Sequence, residues 1–272
     1  MQLSADYPRF CLRNSQLSHE QKAFFQRRGF LHFRQFAAPE AVQGLLQAIA
    51  ELEQQWLQAG PTKINGVPIK YGHDADGTRM VQRFAFASQH SPRLHAFLQD
   101  TRLRALLGLL DAPGARMGEN EKNGLVVNHY VNVPGSTFAH MGWHTDALRD
   151  VFEGRRIGAM LNVGIHLDDC PAANGGLRVL PGTHCQSLRE LLFRKKYFAS
   201  HEADPNELAI ETQAGDLTVH DGRLWHRVAR SPLVGAASRR RVLYVPIVAG
   251  PYQPKHAAAP TPLYLRFLHL LK

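Results

Sequence analysis

Gly142-Trp143-His144-Thr145-Asp146 is the stretch on which the predicted fold is centred. Along an extended strand, residues two positions apart point to the same side, so the side chains of His144 and Asp146 are expected to lie together. His226 offers a second imidazole from a segment far downstream. Two histidines and one carboxylate form the ligand set of non-haem Fe(II) oxygenases, which leaves coordination positions open for reactants. These three side chains predict an iron site assembled from distant strands.

Other metal sites remain open at this point, because the chain contains 15 histidines. The pairs His140 with His144 and His220 with His226 would suit zinc, although no cysteines stand at the spacing of a structural zinc site. The order of segments favours iron, since the His-x-Asp motif follows an early β run and the late histidine precedes basic residues. Asp146 favours hydroxylation over halogenation, because a small residue there would leave room for a bound halide.

The composition indicates a globular protein with a sizeable core. Hydrophobic residues make up 44% of the 272 residues, and no run of about 18 apolar residues predicts a membrane span. The chain does not start with a basic segment followed by an apolar one, so no secretory signal is expected. Three widely separated cysteines are typical of a reducing compartment, and we expect a cytoplasmic protein.

The net charge of +9 favours anionic partners in general. The basic residues lie in separate clusters, however, which is typical of a solubility surface with a few functional arginines. We expect a small-molecule substrate, with a slight preference for an anionic one. The clusters are Arg27-Arg28, Arg155-Arg156, Arg194-Lys195-Lys196 and Arg239-Arg240-Arg241.

The two halves of the chain differ in periodicity. Residues 1–115 are predicted to be mainly helical, with a capping box at Ser18 and Gln21, a helix stop at Gly29 and a proline-started helix after Pro39. Residues 30–36 and short stretches within 61–90 are expected to form strands. Residues 124–250 contain short β-branched runs separated by turn residues, which predict a sandwich or barrel. We expect one α+β domain over residues 1–272, with a mainly β core.

The arginine run Arg239–Arg241 suits a co-substrate of this iron chemistry. 2-Oxoglutarate would chelate iron through its keto oxygen and one carboxylate, and its other carboxylate needs a buried cation; arginine holds a carboxylate with two hydrogen bonds. Alternation along a strand prevents all three arginines from facing inward, and we favour Arg240 for the interior. Asn128 and Tyr130 share one strand face and are candidate hydrogen-bonding partners of 2-oxoglutarate or substrate. The span 185–212 is a candidate lid.

Three segments together resemble the phytanoyl-CoA dioxygenase family of Fe(II)/2-oxoglutarate oxygenases. The first runs from Leu17-Ser18-His19-Glu20-Gln21 to Arg28-Gly29-Phe30-Leu31, and the second from Asn174-Gly175-Gly176 to Pro181-Gly182-Thr183-His184. The third contains Gly215-Asp216-Leu217 and Leu224-Trp225-His226, with Arg240 further on. The resemblance covers roughly residues 17–245.

This resemblance implies a double-stranded β-helix, the jelly-roll architecture of cupins, with the N-terminal helices packed outside. It implies His144, Asp146 and His226 as iron ligands and Arg240 as the 2-oxoglutarate anchor. The stretch 227–238 is longer than usual between ligand and anchor, so Arg239 remains a second candidate. His184 and its neighbours are expected to form turns rather than to take part in chemistry.

The expected function is hydroxylation of a C–H bond in a small-molecule metabolite, using Fe(II), 2-oxoglutarate and O₂ and releasing succinate and CO₂. One alternative is nucleic-acid dealkylation, because Asn128-x-Tyr130 ahead of His-x-Asp is loosely similar to AlkB-type enzymes. The long spacing from Asn128 to His144 and the other matching segments disfavour it. A second alternative is a non-enzymatic metal-binding barrel module. The complete ligand set argues against that module.

Overall fold

A computed structural model describes residues 7–12, 15–262 and 265. Its architecture is mixed α/β and mostly sheet. The helices are α1 (His19–Arg28), α2 (Pro39–Ala59), α3 (Pro92–Leu98), α4 (Thr101–Ala105), α5 (Leu148–Phe152) and α6 (Leu188–Phe193). The first strands are β1 (Phe30–Phe33), β2 (Lys63–Ile64), β3 (Val67–Pro68), β4 (Lys70–His73), β5 (Arg79–Phe84), β6 (Arg116–Met117) and β7 (Val126–Tyr130). The later strands are β8 (Met141–His144), β9 (Met160–His166), β10 (Gly176–Val179), β11 (Leu208–Ala209), β12 (Leu217–Asp221), β13 (His226–Ala229) and β14 (Arg240–Val248).

The predicted helix boundaries at α1 are confirmed. Ser18 accepts a hydrogen bond from the Gln21 amide while the Gln21 side chain accepts one from the Ser18 amide, which completes the capping box. Gly29 ends the helix in the left-handed region, with φ of 78°. Within the described residues, no helix is both long and apolar enough to cross a membrane.

The first strand is shorter than the sequence indicates. It ends at Phe33 because the chain turns at Gln35, which adopts a φ of 51°. The Gln35 amide donates to the buried Asp216 carboxylate, which also accepts from the Gln213 amide and lies 2.8 Å from His32 Nε2. A side chain immediately before β12 therefore stabilises the turn that ends β1.

Two sheets carry the core of the molecule. The larger sheet has the strand order β1-β12-β9-β14-β7-β5-β4, with β6 also paired to β14, and the smaller has the order β11-β10-β13-β8. From β7 onward the chain passes between the sheets, so that β7, β9, β12 and β14 join the larger one and β8, β10, β11 and β13 the smaller. Because of these crossings, strands that are distant in sequence become neighbours in each sheet. The strands β1, β4 and β5 show that the N-terminal part also adds to the larger sheet, beyond its helices.

The two faces of the larger sheet differ in polarity. On β9, Leu161, Val163 and Ile165 are fully buried in the main apolar cluster, which also contains Ile49 and Leu52 of α2. Burial of each such side chain contributes roughly 1.5–3 kcal/mol. The alternate residues of the same strands face the other way, and many are polar: Asn162 and His166 of β9, Thr218 and His220 of β12, and Tyr244 of β14. The helices thus cover one face, and the opposite face is left for a polar site.

Candidate metal centre

The side chains of His144, Asp146 and His226 meet at the smaller sheet. β8 and β13 are antiparallel neighbours, and His226 lies directly opposite His144. Asp146 follows two residues after the end of β8. One donor atom from each residue lies within 4.8 Å of the other two, and all three residues are at most 4% exposed. Ligands about 2.1 Å from one ion lie roughly 3–4 Å apart, so His226 Nε2, at 3.8 Å from Asp146 Oδ2, has a separation suited to a shared ion.

Backbone carbonyls orient both imidazoles. His144 Nδ1 lies 2.8 Å from the Gly142 carbonyl oxygen, and His226 Nδ1 lies 3.0 Å from that of Leu224. A carbonyl only accepts hydrogen bonds, so each Nδ1 carries the proton and donates. Each Nε2 is left with a lone pair directed to the centre, which is the arrangement that a metal-binding histidine needs.

The environment sets the protonation states of the three side chains. Burial lowers the pKa of His144 to about 4 and holds that of His226 well below its usual value, so both rings are neutral at pH 7. Burial alone would raise the pKa of the Asp146 carboxyl, but the charge of Arg149 and further contacts outweigh it and hold the pKa well below the ordinary range. The centre therefore presents two neutral nitrogens and one carboxylate, a set that fits Fe(II).

Both oxygens of the Asp146 carboxylate have contacts with protein groups. Arg149, in α5, places a guanidinium nitrogen 2.9 Å from Oδ1. Asn162 Nδ2 donates to Oδ2 at 2.9 Å, and His220 Nε2 lies 3.5 Å from that same oxygen. The sequence reasoning missed Arg149 and Asn162. The spacing of Arg149 three residues after Asp146 is a usable signal, whereas the place of Asn162 depends on how β9 of the larger sheet faces β8 of the smaller one.

Phe198 lies against His144 at β8, the edge strand of the smaller sheet. Its ring stacks on His144, with centroids 4.5 Å apart and planes 19° from parallel. Its φ of 58° is in the left-handed region, and its amide donates to the Trp143 carbonyl. Gly142 makes this approach possible, because a Cβ there would lie 2.4 Å from the Phe198 carbonyl oxygen. The candidate lid span therefore contains a segment that lies along the edge of β8.

A cavity of about 70 Å³ opens beside the three donor atoms. Asn128 and Tyr130 line it, as do Arg83, Lys122 and Arg149. Asn128 Oδ1 and the Tyr130 hydroxyl are buried and form no hydrogen bond with the described part of the chain. Among the described lining residues, Asp146 is the single carboxylate. The cavity therefore has polar groups available for a ligand and more cations than anions in its wall.

The three consecutive arginines point in different directions. Arg239 is paired with Asp74, and Arg241 with Asp168. Arg240 is 5% exposed and lies opposite Tyr130 in the sheet, with its guanidinium 5.6 Å from the centre of that ring. Its two terminal nitrogens donate to the carbonyls of Ala229 and Ala139, and its Nε is buried without a partner in the described chain. Arg240 is the interior member of the run, while its role as an anchor stays a prediction.

Two residues near the motifs have packing roles. Trp143 is fully buried against Leu148, Leu180, Leu191 and Trp225. His184 is buried next to Gly29, with Nε2 3.1 Å from the Gln26 carbonyl oxygen. Neither side chain is among the residues that line the cavity.

The family model for phytanoyl-CoA dioxygenase (PhyH) matches residues 25–231, and the chain belongs to this family. No curated protein matches it by sequence. The non-haem α-ketoglutarate-dependent carbocyclase SnoK from nogalamycin biosynthesis is similar in structure, with a TM-score of 0.63 and 18% identity over 97% of this chain and 93% of SnoK.

Two further solved structures have the same fold. EvdO2 from Micromonospora carbonacea var. aurantiaca, complexed with 2-oxoglutarate, has a TM-score of 0.61 and 18% identity over 90% of this chain and 95% of its own. The epimerase SnoN, in complex with Fe3+, α-ketoglutarate and nogalamycin RO, has a TM-score of 0.62 and 17% identity over 90% of this chain and 87% of its own. At such identities the similarity establishes the fold.

Proposed function

We propose that this protein is an Fe(II)- and 2-oxoglutarate-dependent oxygenase that hydroxylates a C–H bond of a small-molecule metabolite and releases succinate and CO₂. The observation that carries the proposal is the buried set of His144, Asp146 and His226, with both Nε2 atoms directed to one point beside a cavity. Membership of the phytanoyl-CoA dioxygenase family supports it.

The core is proposed to be a double-stranded β-helix. The alternation of β7 to β14 between two antiparallel sheets supports this architecture. It brings His226 opposite His144 and leaves the polar face of the larger sheet toward the metal centre. The N-terminal helices cover the outer face.

Iron bound at this centre would supply the activation of O₂ and the oxidation of 2-oxoglutarate. The chain's own residues bind and orient the reactants. Arg240 would hold the distal carboxylate of 2-oxoglutarate in the interior, since it is the buried arginine of its run. Asn128 Oδ1 and the Tyr130 hydroxyl, which lack partners in the described chain, are placed to hydrogen-bond the co-substrate or the substrate.

The substrate is proposed to be a small molecule with anionic character. Three cations line the cavity wall against one carboxylate, which supports this, and two of them are also paired with carboxylates of the chain, Lys122 with Asp150 and Arg149 with Asp146. The burial of the metal centre would exclude bulk water from the reacting groups.

The test is succinate formation from 2-oxoglutarate with Fe(II), with and without a panel of candidate metabolites. His144→Ala and Asp146→Ala are each expected to reduce turnover by at least about 100-fold, because each removes a ligand. His95→Ala is the matched control, since His95 is half exposed and pairs with Glu119 away from the cavity. Turnover of either ligand variant at the wild-type rate would contradict the assignment, and retained zinc without oxygen uptake would favour a binding module.

A further inference from the structure

His220 is a buried imidazole beside the metal centre that the proposed chemistry leaves unused. It lies on the polar face of β12, opposite Asn162 of β9, and is 1% exposed. Neither ring nitrogen forms a hydrogen bond within the described residues. Burying a polar group without a partner costs roughly 1–3 kcal/mol, so an aromatic hydrocarbon would be the cheaper way to fill this space. The presence of a histidine here therefore indicates that its ring nitrogens interact with neighbouring groups.

The neighbours of His220 belong to the metal centre. Its ring lies 4.3 Å from that of His226, centroid to centroid, and its Nε2 faces Asp146 Oδ2 at 3.5 Å. Asn162 donates to that same oxygen at 2.9 Å, while Arg149 contacts the other. The distance of 3.5 Å between Nε2 and Oδ2 is longer than in a well-formed hydrogen bond. A movement of either side chain by a few tenths of an ångström would bring the two atoms into hydrogen-bonding distance.

We propose that His220 is a positioning residue for the metal ligand Asp146. Its Nε2–H donates to Oδ2 when the metal binds. Asn162 donates to the same oxygen, and the two contacts together fix the orientation in which the Asp146 carboxylate faces the ion. This rests on the proposed metal site. The mutually close donor set comprises His144, Asp146 and His226 without His220, which favours positioning over direct coordination. Removal of a side chain that hydrogen-bonds a metal ligand commonly weakens metal binding by about 10–100-fold.

Co(II) titration of the apo protein tests the proposal, because the absorption of bound Co(II) reports both affinity and coordination without turnover. His220→Phe is expected to weaken Co(II) binding by about 10–100-fold. The melting temperature of the apo protein should stay the same or rise, since phenylalanine needs no hydrogen bond. His220→Gln should recover most of the affinity, because its amide can donate to Asp146. His166→Phe is the matched control: His166 is buried on the same face but lies 3.0 Å from Thr218 Oγ1, so its replacement should leave Co(II) affinity unchanged.

A double-mutant cycle makes the test specific to Asp146. Combined with Asp146→Ala, His220→Phe should cause no further loss of affinity. A Co(II) affinity of His220→Phe equal to that of the wild type would overturn the proposal. An equal loss of Co(II) affinity in the Phe and Gln variants, together with an altered Co(II) spectrum, would also overturn it, because it would mark His220 as a ligand. Failure of the proposed function gives a different result, namely Co(II) binding that depends on His144 without consumption of 2-oxoglutarate.

Discussion

At the residue scale, the metal centre depends on the direction in which each side chain is held. The Gly142 and Leu224 carbonyls orient the two imidazoles, and Arg149 and Asn162 hold the carboxylate. The two carbonyls and Arg149 lie two or three residues from the side chain that each one orients, whereas Asn162 reaches Asp146 from β9 of the other sheet. The orientation of the two imidazoles is therefore built locally, whereas that of the carboxylate also depends on how the two sheets face each other.

Arg240 provides a prediction for the co-substrate. Arg240→Ala is expected to raise the KM for 2-oxoglutarate by at least about 30-fold, because truncating one partner of a buried charge pair costs roughly 2–5 kcal/mol. The measurement is the dependence of succinate formation on 2-oxoglutarate concentration. Arg239→Ala, which removes the partner of Asp74, serves as the control. A raised KM for 2-oxoglutarate in Arg239→Ala, with an unchanged KM in Arg240→Ala, would identify Arg239 as the anchor.

His129 provides a prediction for stability against pH. Burial, with the nearby charges of Arg241 and Arg239, lowers its pKa to about 3. Below about pH 6.5 the unfolded chain binds a proton that the folded chain does not, so the free energy of unfolding falls as pH falls, by up to about 1.4 kcal/mol per pH unit. His129→Leu should reduce this slope in urea titrations between pH 6.5 and 4. Above pH 7 the difference in slope should vanish, and an unchanged slope at acid pH would contradict the assignment.

At the scale of elements, the segment after α6 depends on close contact with β8. The Phe198 amide donates to Trp143, and the Trp143 amide donates to Ser200, so this segment extends the hydrogen bonding at the edge of the smaller sheet. The contact at Gly142 is backbone to backbone and has no flexible side chain to absorb a displacement. The position of Phe198 over His144 therefore depends on a residue without a Cβ.

Gly142→Ala tests this dependence. The added methyl would lie 2.4 Å from the Phe198 carbonyl oxygen, so the segment must move away. We expect faster limited proteolysis within residues 186–204 and weaker Co(II) binding, since the stacking on His144 is lost. Gly108→Ala is the control, because nothing lies within 4 Å of the added atom there. Equal proteolysis of wild type and Gly142→Ala would show that the segment is held by other contacts.

At the scale of the whole molecule, the metal centre joins parts of the chain that meet only in the folded state. Asp146 follows β8, while His226 begins β13 some eighty residues later in the sequence. A ligand that binds only the folded state stabilises it by mass action. Metal binding and global stability should therefore be linked.

Removal of the metal tests this link. At a free metal concentration about 100 times the Kd, binding adds about 2.7 kcal/mol to the free energy of unfolding, which corresponds to a rise in Tm of roughly 5 °C for a chain of this size. EDTA should reverse the rise in the wild-type protein. His226→Ala should show no response to metal in the same thermal scan. An equal rise in this variant would mean that the metal binds elsewhere.

Much of the element structure follows from local signals. The capping box at Ser18 and Gln21, the stop at Gly29 and the proline start of α2 depend on residues a few positions apart, and all are confirmed. The end of β1 was predicted too late, because it depends on Asp216, which is nearly two hundred residues distant. Contacts within an element can be inferred from spacing, whereas contacts between elements need the strand order.

By itself, the sequence determined the family, the alternation between polar and apolar strand faces, and the three residue types that the metal centre requires. His144 and Asp146 could be paired from their spacing, because a strand repeats every two residues. Only the tertiary structure decided between Arg240 and Arg239 as the buried arginine and placed Asn162 and His220 beside Asp146. Those placements depend on which strands are neighbours and in which register, and the pairing of distant strands is set by the burial of the whole core.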